Sequence, residues 1–280
     1  MEALDRLGWA GGVMLAGDGV RVGIRSNDAT LLDRLAGRFP PTWRRTRAAR
    51  VEQIYSVLVR DGLSAGTAPR THHLFVNSER RRSSRDVGVL LDDLESTLHF
   101  QAALSARRRL FLHAGVVEWG GRAILVPGRS GTGKSSLVAA LVAAGAQYYS
   151  DEFAVVDASG RVHAYPKRIS LREPMKSAGQ YTANLGGRRR LAPLKVGGIV
   201  VTEYQAGAAW QPRALSPGRA LLALLDNTVL ARSRASFALS ALNTVVRDSV
   251  AVKSKRPEAG EVASAVLQFM DSPAGVVRRS

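Results

Sequence analysis

Residues 128–135 read Gly-Arg-Ser-Gly-Thr-Gly-Lys-Ser and fit the spacing G-x-x-x-x-G-K-S. In this segment, which we call the glycine loop, the glycines let the backbone wrap so that successive N–H groups point at phosphate oxygens. The lysine reaches the β- and γ-phosphates, and the serine hydroxyl ligates Mg²⁺. The sequence therefore predicts a nucleotide site of the P-loop type. The predicted nucleotide contacts are Gly128, Arg129, Ser130, Gly131, Thr132, Gly133, Lys134, Ser135 and Ser136.

Two strand patterns precede the glycine loop, at residues 114–119 and 122–127, and a Gly-Gly dipeptide separates them. Both positions of a tight two-residue turn accept positive φ, so the dipeptide predicts a β-hairpin. Counting outward from a regular turn pairs His113 with Gly128. We therefore expect His113 at the mouth of the glycine loop.

A carboxylate is expected at the same place. A helix predicted over residues 134–144 leads to a strand pattern at 147–150, which should run parallel to residues 123–126. The carboxyl end of that strand then opens on the edge where open α/β sheets bind ligands. Asp151 follows the strand directly, so the two strands deliver His113 and Asp151 to one edge.

These positions allow roles to be assigned. In phosphoryl transfer the protein positions groups and neutralises charge, while a carboxylate accepts the proton of the attacking hydroxyl. We predict Asp151 as that base, Lys134 as the catalytic cation, and His113 as a partner that orients Asp151 or tunes its charge. A structural histidine is the alternative for His113. The predicted Mg²⁺ ligands are Ser135, Asp151 and Glu152.

Asp157 is a rival carboxylate, because it also follows an apolar strand pattern, at residues 153–156. A strand that leaves the glycine loop at Asp151 carries Asp157 to the far edge of the sheet. There, Asp-Ala-Ser-Gly is ordinary turn chemistry. We therefore expect a structural role for Asp157, in a hairpin to residues 161–165.

Three ordered segments resemble the HPr kinase/phosphorylase family, and more closely its smaller HPr-kinase-like serine kinases. They are His-Ala-Gly-Val-Val at 113–117, the glycine loop, and residues 145–152; the tripeptide Tyr165-Pro166-Lys167 also fits. The resemblance covers roughly residues 110–171. It implies an α/β fold with a P-loop core like that of HPr kinases and PEP carboxykinases, built on a mixed sheet.

The resemblance also implies a reaction. Family members use Mg²⁺ and usually ATP to phosphorylate a serine hydroxyl, with roles that map onto His113 and Asp151. Some small relatives phosphorylate a serine on a precursor peptide, so serine of a peptide or small protein is the expected acceptor. This chain has Asp151-Glu152 where the family often has Asp-Asp, and the signature used for dephosphorylation is not found. A small-molecule alcohol kinase and a non-catalytic nucleotide-binding protein remain alternatives.

The change in sequence texture near residue 110 predicts two domains. Residues 1–108 are expected to form a smaller accessory α+β domain, and residues 109–280 the P-loop kinase-like domain. Arg256 and Glu258 are expected to approach the nucleotide, and residues 186–190 are expected to be a mobile loop. The predicted strands outside the hairpins are 20–24, 54–59, 73–76 and 198–204, and the remaining predicted helices are 28–35, 87–106, 218–225, 237–248 and 258–270.

Charge and composition limit the partners. The net charge of +17 comes from 40 basic and 23 acidic residues, but the arginine clusters lack the interleaved aromatics of single-strand nucleic-acid binders. Nucleic acid is therefore not expected as a partner. The chain has no cysteine, which excludes disulfides, and no apolar run near the roughly 20 residues of a membrane span. The first residues lack a secretory signal, so we expect a cytoplasmic protein. A homo-oligomer stays open.

Overall fold

The structure is a computed structural model, and it describes residues 2–35, 37–48, 50–60, 71–129, 131–166 and 191–271. The chain divides into two compact units, Met1–Arg107 and Arg108–Ser280. Each unit combines helices with a mixed β-sheet, which confirms the predicted α/β class. Ser130, Lys167 and the predicted loop at 186–190 lie outside the described residues.

The first unit is built on a six-stranded sheet with the order β3-β1-β2-β4-β5-β6. Neighbouring strands are antiparallel except β2 and β4, which are parallel. The leucines of the long helix α3 are buried in the core of this unit. The elements are α1 (Glu2–Asp5), β1 (Gly11–Gly17), β2 (Val20–Ser26), α2 (Thr30–Arg34), β3 (Arg44–Arg45), β4 (Gln53–Leu58), β5 (His72–Val76), β6 (Glu79–Ser84) and α3 (Val87–Ser105).

The second unit is built on an eight-stranded sheet with the order β11-β10-β7-β8-β12-β14-β13, in which β9 also pairs with β7. Strands β8, β12 and β14 are parallel and form its centre. The elements are β7 (Arg109–Trp119), β8 (Arg122–Pro127), α4 (Lys134–Ala143), β9 (Gln147–Ser150), β10 (Phe153–Asp157), β11 (Arg161–His163), β12 (Leu194–Tyr204), β13 (Arg213–Ala214), α5 (Pro217–Leu225), α6 (Ala235–Arg247), β14 (Val250–Arg256) and α7 (Ala259–Asp271).

Helices cover both faces of this second sheet. Helices α4 and α7 share a buried cluster with Val117 of β7, whereas α5 and α6 share another with Ala114 and Val116. Successive residues of a strand point to opposite faces, so β7 separates the two clusters. No helix among the described residues is long and apolar enough to cross a membrane.

The predicted hairpin register is confirmed. Ala114 pairs with Pro127 and Trp119 with Arg122, across the expected two-residue turn. Strand β9 is antiparallel to β7, and so is β8, so β9 runs in the direction predicted from the helix crossover. Its hydrogen-bonded neighbour is nevertheless β7, which lies between β9 and β8.

Candidate functional site

The hairpin register places the glycine loop beside His113. The backbone N–H of Gly128 donates to the carbonyl of His113 at 3.1 Å, as the predicted pairing requires. Helix α4 begins within the loop, at Lys134, with Gly133 as its N-cap in the left-handed region at φ +80°. Because the first N–H groups of a helix lack internal partners, this end is suited to bind an anion.

The side chain of His113 projects on the face that carries α4. Val117 packs in the cluster with α4, and alternation along the strand places Gly115 and His113 on the same face. Gly115 lets the helix approach closely, since a Cβ there would lie 2.4 Å from Cγ2 of Val138. The close approach keeps the start of α4 next to His113.

Lys134 is buried at the start of α4, with an exposed fraction of 9%. Its Nζ donates to the carbonyl of Arg129 at 2.7 Å. Burial lowers the pKa of Lys134, and the negative charges of Asp151 and Glu152 oppose that shift. The two predicted carboxylates therefore act electrostatically on the lysine of the glycine loop.

Asp151 and Glu152 occupy a break between β9 and β10, which run along the same side of β7. The hydroxyl of Ser150 accepts from the N–H of Phe153 at 3.2 Å, and the carbonyl of Glu152 accepts from the N–H of Ala114 at 3.2 Å. The break thus lies level with the end of the hairpin. Asp151 is buried, and the hydroxyl of Tyr148 donates to its Oδ1 at 2.9 Å.

His113 rests on apolar surface. Its ring lies 4.8 Å from that of Phe153, which packs in turn against Phe111 and Tyr165 at 5.6 and 6.1 Å between ring centroids. Burial lowers the pKa of His113, the charge of Lys134 lowers it further, and Glu152 raises it. The imidazole is therefore held towards its neutral form.

The oxygen ligands at this edge fit a hard cation. Mg²⁺ binds through one or two carboxylates and takes its other ligands from phosphates and water. Asp151 and Glu152 beside the glycine loop, with the half-buried Ser135 in the first turn of α4, offer that set. Among the described residues, no group of three or more His, Asp or Glu side chains forms an all-protein metal site.

Asp157 takes the structural position expected for it. It pairs with Arg109, at the opposite end of β10 from Phe153. Its Oδ1 accepts from the N–H and hydroxyl of Ser159, and its Oδ2 lies 2.7 Å from Nε2 of His163. These bonds close the turn between β10 and β11.

Two further contacts lie at this edge, one of them made by Arg256, which was expected to approach the nucleotide. The backbone N–H of His113 donates to the carbonyl of Asn227 at 2.7 Å, so residues 227–229 run beside β7. Arg256 does approach the glycine loop, because its Nη2 donates to the carbonyl of Gly133 at 3.0 Å. Glu258 instead accepts a hydrogen bond from the hydroxyl of Tyr204.

The comparisons with known proteins add no residue assignment to this geometry. No protein-family model matches the chain, and no curated protein sequence matches it. The function of the site is therefore inferred from its residues. These are a glycine loop, a buried lysine, two carboxylates and a histidine at one edge of a sheet.

Proposed function

We propose that this protein is an ATP-dependent kinase with an HPr-kinase-like core, which transfers the γ-phosphoryl group to the hydroxyl of a serine in a peptide or small protein. The observation that carries the proposal is the placement of buried Asp151 at the edge where the glycine loop presents Lys134. Phosphoryl transfer needs a loop that binds the phosphates, here the glycine loop, and a carboxylate that accepts the proton of the attacking hydroxyl.

The step balances with the groups at this edge. The acceptor oxygen forms a bond to the γ-phosphorus while the bond from that phosphorus to the β,γ-bridging oxygen breaks. ADP leaves with that electron pair, and the proton of the acceptor hydroxyl passes to a carboxylate oxygen of Asp151. Lys134 and the backbone N–H groups of the glycine loop hold the phosphate oxygens and offset their charge.

A bound Mg²⁺ would supply further neutralisation of the phosphate charge. Ser135, Asp151 and Glu152 are the residues that would hold it. His113 lies on the same face as α4 and feels the charges of both Lys134 and Glu152. A neutral imidazole here can donate one hydrogen bond and accept another, which lets it orient a carboxylate or the acceptor hydroxyl without adding charge.

The direct test is Asp151→Asn, which keeps the size of the side chain but removes the base. We expect phosphoryl transfer to fall by about 10²–10⁴-fold, the range that general-base catalysis contributes, while the Kd for ATP measured without Mg²⁺ stays close to that of the wild type. Transfer from labelled ATP to candidate peptides measures the first, and isothermal titration calorimetry the second. Asp157→Asn is the matched control, since Asp157 lies in the distant β10–β11 turn, and it should retain transfer.

Other outcomes would point elsewhere. ATP binding without a phosphorylated product from any acceptor, and unchanged by Asp151→Asn, would indicate a non-catalytic nucleotide-binding protein. Phosphorylation of small alcohols but not of peptides would support a small-molecule kinase. Failure of the wild-type protein to bind ATP would overturn the proposal altogether.

A further inference from the structure

Arg256 is the last residue of β14. In the sheet, β12 lies between β14 and β8, the strand that leads into the glycine loop. Strands β8, β12 and β14 are parallel, so their carboxyl ends open on the same edge. Arg256 pairs with Tyr204 at the last position of β12 and β14. This brings its side chain to the start of α4.

The guanidinium is fixed against the first turn of that helix. Nη2 donates to the carbonyl of Gly133, which also accepts the first intrahelical bond from the N–H of Leu137 at 3.1 Å. Nη1 donates to the carbonyl of Pro257 at 3.0 Å, and the group lies 5.5 Å from the ring of Tyr204. A Cβ on Gly133 would lie 2.4 Å from Nη2, so glycine at this position also makes room for the arginine.

Among the described residues, no ion pair compensates the burial of this cation. Arg256 is 2% exposed, and it forms no salt bridge within the part of the chain that the structure describes. Its Nε has no hydrogen-bond partner among those residues. Glu258, the nearest acidic influence, accepts from Tyr204 instead. A buried charge without a direct ion pair is costly, and here it lies at the positive end of a helix dipole.

Three positive features therefore converge on one point: the N-terminus of α4, the buried Lys134 and the buried Arg256. An anion bound there would offset all three. We infer that Arg256 is a phosphate-binding residue, which fixes the N-cap of α4 through Gly133 and supplies a second buried cation to a polyphosphate in the glycine loop. The inference rests on the nucleotide site of the proposed function, but not on phosphoryl transfer.

The test measures binding of ATP and of inorganic tripolyphosphate to the full chain by calorimetry over a range of salt concentrations. Arg256→Gln should raise both Kd values at least tenfold. Arg256→Gln should also reduce the slope of log Kd against log salt concentration. The reason is that salt screens the attraction between Arg256 and phosphate, and this attraction is absent from the variant. Arg256→Lys keeps the positive charge, so it should keep the slope. Its Kd should still rise, because lysine lacks the planar pair of guanidinium nitrogens that can contact phosphate together.

Arg234→Gln provides a matched control. Arg234 is also partly buried, lies 4.6 Å from the ring of Phe237 and donates to a backbone carbonyl, that of Arg109, at 2.9 Å. Its loss should lower stability without changing either Kd or the salt slope. Circular dichroism checks that each variant is folded, and should Arg256→Gln fail to fold, Arg256→Met, which also removes the charge, takes its place with the same expected results.

Two results would overturn the inference. Equal Kd values for wild type and Arg256→Gln would show that the arginine does not act on phosphate. A raised Kd with an unchanged salt slope in Arg256→Gln would leave Arg256 only a structural role in the loop. Absence of phosphoryl transfer would not bear on it, whereas failure of the wild type to bind either ATP or tripolyphosphate would remove both proposals together.

Discussion

His113 is held towards its neutral form by the aromatic surface beneath it. Burial against Phe153 is the main cause of its lowered pKa, and the charge of Lys134 adds to it. A lowered pKa means that the ring takes up a proton only when the pH falls below about 6.5, its ordinary value. A protonated ring beside Lys134 would add a second positive charge and lose its acceptor.

This gives a prediction for pH dependence. We expect transfer activity to be constant near neutral pH and to fall in acid, with a midpoint below 6.5. His113→Gln should lower the rate and remove that acidic limb, while His163→Gln, in the β10–β11 turn, should leave the limb in place. The measurement is kcat/KM against pH for the three proteins. A limb that persists in His113→Gln would assign the titration to another group.

The same shift has a consequence for folding. Between the ordinary pKa and the lower native one, the unfolded chain binds a proton at His113 that the native protein does not. Stability from this residue is therefore fully present above the ordinary pKa and is lost as the pH falls through that interval. Urea unfolding of wild type and His113→Gln at neutral and mildly acidic pH should show a smaller acid loss in the variant.

For individual residues, the sequence predicted those positions that follow from counting along the strands. The position of His113 beside Gly128 follows from a two-residue turn, and Asp151 from a helix crossover. The aromatic base under His113 could not be predicted, because its residues come from different strands and from the segment after β11. The contact of Arg256 with Gly133 depends on a sheet order that no local pattern encodes.

Among the elements, the contact between β7 and α4 leaves little room for a side chain at Gly115. Gly115→Ala should force Val138 or the helix to move, because the added Cβ would lie 2.4 Å from Cγ2 of Val138. Overpacking of this kind costs about 1–3 kcal/mol. We expect a fall of that size in the free energy of unfolding, measured in urea, together with weaker ATP binding, since the start of α4 is displaced.

A second substitution separates crowding from other causes. Val138→Ala removes the methyl group that the new Cβ would meet, so Gly115→Ala/Val138→Ala should be more stable than the sum of the two single changes predicts. Residues in contact commonly show such coupling, of about 0.5–3 kcal/mol. Strictly additive changes would mean that the helix does not rest on Gly115.

Two of the strands that the sequence analysis missed, β6 and β14, contain exposed charged residues. Strand β6 is Glu-Arg-Arg-Arg-Ser-Ser, an exposed edge strand that backbone pairing with β5 holds in place, so it carries no apolar signal. Strand β14 includes Lys253 and Lys255, which are exposed between buried neighbours. Its parallel pairing with β12 joins residues far apart in the chain. Conversely, β8 and α3 were predicted correctly from an apolar strand pattern and a clear helical periodicity, whereas β7 begins five residues earlier than predicted.

At the scale of the whole molecule, the two units have separate hydrophobic cores. The core of the first unit consists of β-strand residues such as Val22 and Tyr55 with the leucines of α3. The second unit has two clusters, one on each face of its sheet. All the described residues assigned to nucleotide binding and transfer belong to the second unit.

A chain of residues 108–280 should therefore fold and bind ATP without the first unit. Its Kd should lie within about threefold of that of the full chain, a difference of less than about 1 kcal/mol, because every described contact to the glycine loop is kept. Calorimetry on the two proteins measures this, with residues 1–107 as a control that should fold but bind no nucleotide. A folded fragment that has lost ATP binding would show that the first unit completes the site, and it would move the search for the acceptor's binding surface to that unit.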